Sequence, residues 1–360
     1  MKKYPILQNQ KGTAPNQCVS FPFFSAILIH TSISISMAMA MAKFLLFVVV
    51  LSAIPLAIII SLESSAPTAH YYQFHSSGWF RESSKWDEDN RRFIVSFTDG
   101  GGLGVVNVPE DDNPSLVLEE IPVVKNTEAV GNGSCGVFID RPRKRVVVAI
   151  ADVFGHSYSA VAAYDMDSWK RLFFTQLSSS EDGKSMADDV TVDAQGNAYV
   201  TDAKGTRIWK VGVDGQILSV IKSPLFHAKE WYNNIFTLNG IVYHPNGYLI
   251  VGHTIAGLLF KVEINNDNKV TLVKVDARLT VADGLELLSP TKLVVAGANG
   301  VKLVESNDDW ATASVIGRSP VLKHRMATAA MVKDGKVYIN HALGMGYPKK
   351  KHVFVEAVFS

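Results

Sequence analysis

From about residue 70 onward, short β-branched and aromatic runs alternate with Gly, Asp and Asn, and no long stretch keeps the 3.6-residue period of an amphipathic helix. Six runs stand out: 92–97, 145–150, 197–201, 248–252, 292–296 and 336–340. Each follows another short apolar strand that ends in a turn, as in Val190–Gly196 and Ile241–Gly247. Each also precedes a third, such as Arg207–Val211, Leu258–Val262 or Val301–Val304, and often a fourth, such as Gln216–Ile221. Four strands in about 40–50 residues, repeated six times, predict an all-β, six-bladed β-propeller over residues 70–360. Two sandwich domains would need a linker near the midpoint, and no Pro/Ser-rich stretch or charge run supplies one.

Residues 1–69 have a different pattern. The run 44–60, FLLFVVVLSAIPLAIII, carries no charge, follows Lys43 and leads into the small-residue stretch 61–69. This is the layout of a secretory signal peptide, with cleavage expected near Ala66 or Ala69. A spanning helix needs about 20 apolar residues, so an uncleaved signal anchor through 44–60 is the alternative, with a buried core helix third. Met37, Met39 and Met41 cluster before Lys43, and a start at Met41 rather than Met1 would give a compact signal. The expected location is the secretory pathway, with a secreted, extracellular or vacuolar product, or a membrane-anchored one if the signal stays. Cys18 falls in the leader, which leaves Cys135 alone in the mature chain, where it reads as a small buried hydrophobe.

Composition changes this picture little. The mean hydropathy of +0.12 is raised by the leader. The net charge of +1, from 35 Lys+Arg against 34 Asp+Glu, gives no field for nucleic acid. A monomer acting on a small molecule is expected.

The candidate chemistry lies just ahead of the first strand of each repeat, where a propeller faces its central channel. The six lead-ins are 81–86, 132–136, 187–190, 238–241, 282–285 and 327–330. Their central residues, Glu82, Ser134, Asp188 or Asp189, Asn239, Asp283 and Thr328, fall about one blade apart. Carboxylates and amides from different blades would thus converge on one axis. A hard cation such as Ca2+ takes six to eight oxygen ligands of this kind. With no His or thiolate in the set, zinc and copper suit it less. Asn-Gly and Asp-Gly are also common turn signals, but these two lie upstream of the innermost strands and repeat at blade spacing.

On these residues the chain resembles the senescence marker protein, gluconolactonase and luciferin-regenerating-enzyme-like family, which sits beside the paraoxonases and strictosidine synthase-like proteins in the calcium-dependent phosphotriesterase superfamily. The sharpest points are Asn239-Gly240-Ile241-Val242-Tyr243-His244-Pro245-Asn246-Gly247 and Asp283-Gly284-Leu285. The resemblance implies Glu82, Asn239 and Asp283 as metal ligands and Asp283 as the general base. It also implies substrate contacts at Asp188 and Asp189, where the family's Asn-Asp-Gly reads Asp188-Asp189-Val190, with Ser134 and Thr328 at the matching lead-ins. The family's Glu-Gly-Pro reads Glu82-Ser83-Ser84. The implied activity is Ca2+-dependent hydrolysis of a lactone or ester, and the alternative is a noncatalytic secreted binding module with a structural metal.

The remaining features are minor. No Gly-x-Ser-x-Gly elbow is present, which argues against acyl-enzyme chemistry. Asn132-Gly133-Ser134 is an N-glycosylation acceptor if the chain enters the secretory pathway. His253 and His341, at strand ends, read as structural histidines or as bases near the axis. Lys85, Asp87, Glu88 and Asp89 read as solvated loop residues.

Overall fold

The computed structural model describes residues 23–63, 67, 69–111, 116–125 and 131–360, with backbone alone for 23–36 and Ser180. Met1, Cys18 and Ala66 lie outside the described residues. The described residues fall into two units, 23–63 and those from 67 onward.

In the first, Phe23–Glu63 forms one helix of 41 residues. Its part Met37–Glu63, with a mean hydropathy of 2.9, is long and apolar enough to cross a membrane. Phe44, Leu46, Phe47 and Ile60 stand exposed on it.

In the second, the strands form a six-bladed β-propeller. Blade one is Ser84–Asp87, Arg92–Ser96, Leu103–Asn107 and Val117–Val124. Blade two is Gly133–Asp140, Arg145–Ala151, Ser159–Asp165 and Arg171–Ser178. Blade three is Ala187–Val192, Ala198–Asp202, Arg207–Val211 and Ile217–Ile221. Blade four is Leu238–His244, Tyr248–His253, Leu258–Glu263 and Lys269–Val275, and blade five is Ala282–Ser289, Lys292–Gly297, Val301–Glu305 and Thr312–Ser319. Blade six is Ala327–Lys333, Lys336–Met345 and Lys350–Glu356, completed by Tyr71–Ser76 from the start of the unit.

The second strand of a blade is apolar at successive positions because both of its faces are covered. In Tyr248–His253, Leu249 and Val251 pack with Tyr199 and Ile208 of blade three, whereas Tyr248 and Ile250 pack with Leu285 and Leu293 of blade five. Each such buried side chain contributes about 1.5–3 kcal/mol, so blade-to-blade burial is the main stabilising term. This is why the sequence shows continuous apolar runs rather than alternation.

The ring closes on two contacts. Tyr71–Ser76 pairs antiparallel with Lys350–Val355, and its Gln73–His75 pairs parallel with Val117–Glu119 of blade one. Buried Arg81 joins the seam: its guanidinium donates to Glu120 at 2.6 Å, Asp99 at 2.7 Å and the Ser76 hydroxyl at 2.6 Å. The residue next to this anchor is Glu82.

Candidate functional site

The innermost strands share an irregularity. Their pairing slips between Ser134 and Val137, Ala187 and Val190, Leu238 and Ile241, Ala282 and Leu285, and Ala327 and Ala329. A bulge of this kind re-aims a side chain and ends regular pairing. In register, its first residue is Cys135, Asp188, Asn239, Asp283 and Thr328 in blades two to six. Blade one has the same slip: the Thr98 N–H donates to the Phe80 carbonyl at 3.3 Å, while the Ser96 N–H donates to the Ser83 carbonyl at 2.9 Å. That puts Glu82 at the matching position.

The residue after each bulge lies where neighbouring blades nearly touch. A Cβ on Gly240 would sit 2.3 Å from the Asp283 carbonyl oxygen, and one on Gly284 would sit 2.6 Å from that of Thr328. On Gly136 it would come 2.5 Å from the Asp189 Cα. The glycines of Asn-Gly and Asp-Gly are therefore packing requirements between blades. Blade three departs from this pattern. Asp189 fills the glycine position, and its carboxylate accepts from the Ile241 N–H at 3.2 Å, stitching blade three to blade four. The structure thus separates the adjacent acids: Asp188 takes the ring position and Asp189 the blade seam.

The ring acids are sheltered, Asp188 buried and Glu82 and Asp283 half-buried, and close enough to repel one another. Asp188 is 3% exposed and Asn239 9%. Burial first, then the charges of Asp283, Asp188 and Asp189, push the Glu82 carboxyl well above the usual range. Burial and Asp283 do the same to Asp188. Burial pushes Asp283 up to about 7, opposed by a hydrogen bond from the Asn239 side chain. Asp189 is pushed up to about 6 by burial, opposed by nearby Lys85. Two carboxylate oxygens in this group, Glu82 Oε2 and Asp188 Oδ2, are buried without a hydrogen-bond partner.

Such orphaned acceptors fit a cation. The oxygen-rich donors Glu82, Asp188, Asn239 and Asp283 have the chemistry a hard cation prefers. Among the described residues, however, no three His, Cys, Asp or Glu side chains already stand as a metal-holding group.

Other expected site residues are engaged elsewhere. The Ser134 hydroxyl accepts from the Gly102 N–H at 2.9 Å inside blades one and two. The Thr328 hydroxyl donates to the Glu82 carbonyl and accepts from the Asn340 side chain at 3.0 Å. Asn340 also donates to the Glu82 carbonyl at 2.8 Å. Thr328 and Asn340 therefore hold the Glu82 backbone in place, a role for Asn340 that the sequence reading missed. Asn132 lies half-buried just ahead of blade two. His341 is satisfied at both ring nitrogens, accepting from the Leu322 N–H at 3.1 Å and lying 3.2 Å from the Ile339 carbonyl. His253 accepts from the Ala256 N–H at 3.3 Å through Nδ1, and its buried Nε2 has no partner. Burial holds both imidazoles near 4, so they are neutral at pH 7.

Two expectations are corrected. Lys85 and Asp87 are not solvated: Asp87 is fully buried, and Lys85 reaches past blade six to the Glu286 carboxylate of blade five, with the Ala330 carbonyl at 3.3 Å. Lys85 and Glu286 each stand three residues beyond a ring acid, Glu82 and Asp283, so this ammonium–carboxylate pair links the inner strands of blades one and five past blade six. Beside it lies a cavity of about 250 Å³, lined by Phe138, Thr191, Val242 and Leu287 among others. The second correction concerns blade two. Its ring residue is Cys135, not Ser134, because the bulge begins one residue later than the spacing suggests. The ring does contain a thiol.

Comparison with known proteins shows the fold alone. No protein-family model matches the chain, and no curated protein matches it. Among solved structures, the chain is similar to the major Malassezia sympodialis allergen Mala s 1, with a TM-score of 0.61 and 15% identity over 82% of this chain and 97% of that one. It is also similar to a protein of unknown function from Bacteroides caccae, with a TM-score of 0.51 and 15% identity over 71% and 87%. These likenesses agree with a β-propeller and single out no family.

Proposed function

We propose that the protein is a divalent-cation-dependent hydrolase of a small lactone or ester, with Ca2+ held on the propeller axis by Glu82, Asn239 and Asp283 and with Asp188 beside them. The observation that carries this reading is the pair of buried, partnerless oxygens, Glu82 Oε2 and Asp188 Oδ2, within a group of like charges. A folded chain keeps such groups unsatisfied chiefly where a ligand satisfies them. The gluconolactonase-like motifs Asn239-Gly240 and Asp283-Gly284 support it.

When bound, the cation would polarise the substrate carbonyl and acidify water. The chain's own residues do the rest. Asp283 would accept the proton of the attacking water, the role that the gluconolactonase-like motif implies. Asn239 fixes the Asp283 carboxylate through its side-chain hydrogen bond. Asn340 and Thr328 fix the backbone that carries Glu82.

The purified full chain, assayed against lactone and aryl-ester panels with and without chelator, tests the reading. Turnover that chelator abolishes and Asp283→Asn removes is expected. If no panel member turns over while chelator lowers the melting temperature, the hydrolase reading fails. The noncatalytic module with a structural metal would then stand, a reading favoured by the Ser134 and Thr328 hydroxyls being spent on backbone. The apolar helix supports passage into the secretory pathway, ending in a secreted, extracellular or vacuolar protein or a membrane-anchored one. N-terminal sequencing of the mature chain separates these, and a mobility shift on deglycosylation checks Asn132.

A further inference from the structure

The cavity of about 250 Å³ beside Lys85 and Glu286 draws its walls from the innermost strands of five blades: Lys85 of blade one, Phe138 of two, Asp189 of three, Val242 of four, and Glu286 and Leu287 of five. Three of its side chains carry charge, one ammonium and two carboxylates, and most of the remaining wall is apolar. Lys85 and Glu286 satisfy each other, and their side chains are 19% and 23% exposed, so solvent reaches them. Asp189 has no such partner. Its carboxylate accepts from the Val190 N–H at 2.9 Å and the Ile241 N–H at 3.2 Å, and among the described residues no cationic side chain forms an ion pair with it. Two backbone dipoles solvate that charge without cancelling it, so the wall carries one unmatched negative charge. Between apolar walls such a charge acts strongly on whatever enters.

We infer that this cavity binds a small organic cation, an ammonium group on a branched aliphatic body, with the ammonium against Asp189 and the body against Phe138, Val242 and Leu287. The site needs no metal and is independent of the axial-cation reading above. A bare divalent ion suits the wall poorly, because it takes six to eight oxygen ligands and the apolar side chains offer none. A neutral molecule of the same shape leaves the Asp189 charge unanswered, and an anion is repelled by it. Size agrees with this class. An apolar cavity of about 150 Å³ holds benzene, so the space here admits a body of about that size together with its head group.

The test uses the full chain at pH 8 in chelator, so that no divalent ion contributes. Calorimetry and melting temperature are read with 3-methylbutylammonium chloride, and with 3-methylbutanol and sodium 3-methylbutanoate, which keep the body and change the head group. The ammonium is expected to saturate at one per chain, with the alcohol at least about tenfold weaker and the carboxylate not binding. Asp189→Asn, which keeps an acceptor for the Ile241 N–H, should lose at least about tenfold in ammonium affinity and leave the alcohol unchanged. Leu287→Trp should fill the cavity and weaken both. Asp189→Gly is a second variant, because glycine holds the same place in blades two, four and five, and melting temperatures without ligand verify that all three fold. Equal affinity for ammonium and alcohol, no binding at all, or ammonium binding that the Asp189 and Leu287 variants leave intact overturns the inference. So does a rise in melting temperature that sodium chloride of the same ionic strength reproduces. The hydrolase reading stands or falls separately, since its assay needs the cation that chelator removes here.

Discussion

Two layers of the channel, three residues apart on the same strands, treat charge in opposite ways. At the ring, Glu82, Asp188 and Asp283 crowd together, and two of their oxygens have no partner. One step along, Lys85 and Glu286 neutralise each other between blades one and five. The second arrangement is what a fold builds to hold its blades in place, because a sheltered carboxylate is matched by an ammonium. The first is what a fold tolerates when something from outside completes it. Burial alone does not distinguish the layers, but pairing does.

Substitutions should break this contrast in a definite order. The largest effect is expected between the layers, where Gly240→Ala drives a Cβ into the Asp283 carbonyl. A loss of about 3 kcal/mol in denaturant unfolding is anticipated, and a loss under 1 kcal/mol would show that the blades can separate there freely. Next comes Lys85→Met, which strands Glu286 and should destabilise by about 2 kcal/mol, with Lys85→Met/Glu286→Leu recovering most of it. At the ring the sign reverses. In chelator at pH 8, Asp283→Asn removes a repelled carboxylate and should stabilise by about 1 kcal/mol, while abolishing any stabilisation by added cation. If both layers respond with the same sign, the distinction between them is wrong.

The smallest effect is a pH slope. A carboxylate whose folded pKa is raised favours the folded state while protonated, and that contribution is lost as pH climbs from the unfolded value through the folded one. Asp283, raised to about 7, therefore makes the chelator-stripped protein lose stability up to and beyond neutrality. His253, His341 and His352, each lowered to about 4, act in the opposite direction, but their contribution is complete above about 6.5. Glu82 and Asp188, also raised by burial and neighbouring charge, act in the same direction. The informative window is thus pH 6.5–8.5, where melting temperature should fall in chelator and fall less steeply in Asp283→Asn.

The propeller was readable in the chain because doubly buried strands leave continuous β-branched runs: Arg145–Ile150 and Tyr248–Gly252 fall inside strands that begin at the same residues. The acids of the ring were readable through their spacing. Spacing failed at blade two because an average repeat cannot register a one-residue slip. A local signal was present: Cys135-Gly136-Val137 has the same form as Asn239-Gly240-Ile241 and Asp283-Gly284-Leu285, a ring residue followed by the glycine that lets the next blade approach. Lys85 was misread because it sits in a run of charges, and only its offset from Glu82, equal to that of Glu286 from Asp283, marks it as axial. Asn340 and the closing strand Tyr71–Ser76 had no signal of either kind, since the Glu82 backbone that the one holds and the Lys350–Val355 strand that the other pairs with lie more than 200 residues away in sequence.

That closing strand also imposes an order on biosynthesis. Tyr71–Ser76 is among the first parts of the propeller to leave the ribosome, and its antiparallel partner, Lys350–Val355, is among the last. Blades two to five can form as they emerge, each from its own consecutive strands, but the sixth cannot be completed until translation is nearly finished. Until then the earliest strand waits with an open edge, a target for chaperones or for a neighbouring nascent chain. A premature stop before Lys350 would therefore cost more than the missing residues, because the circle would never close.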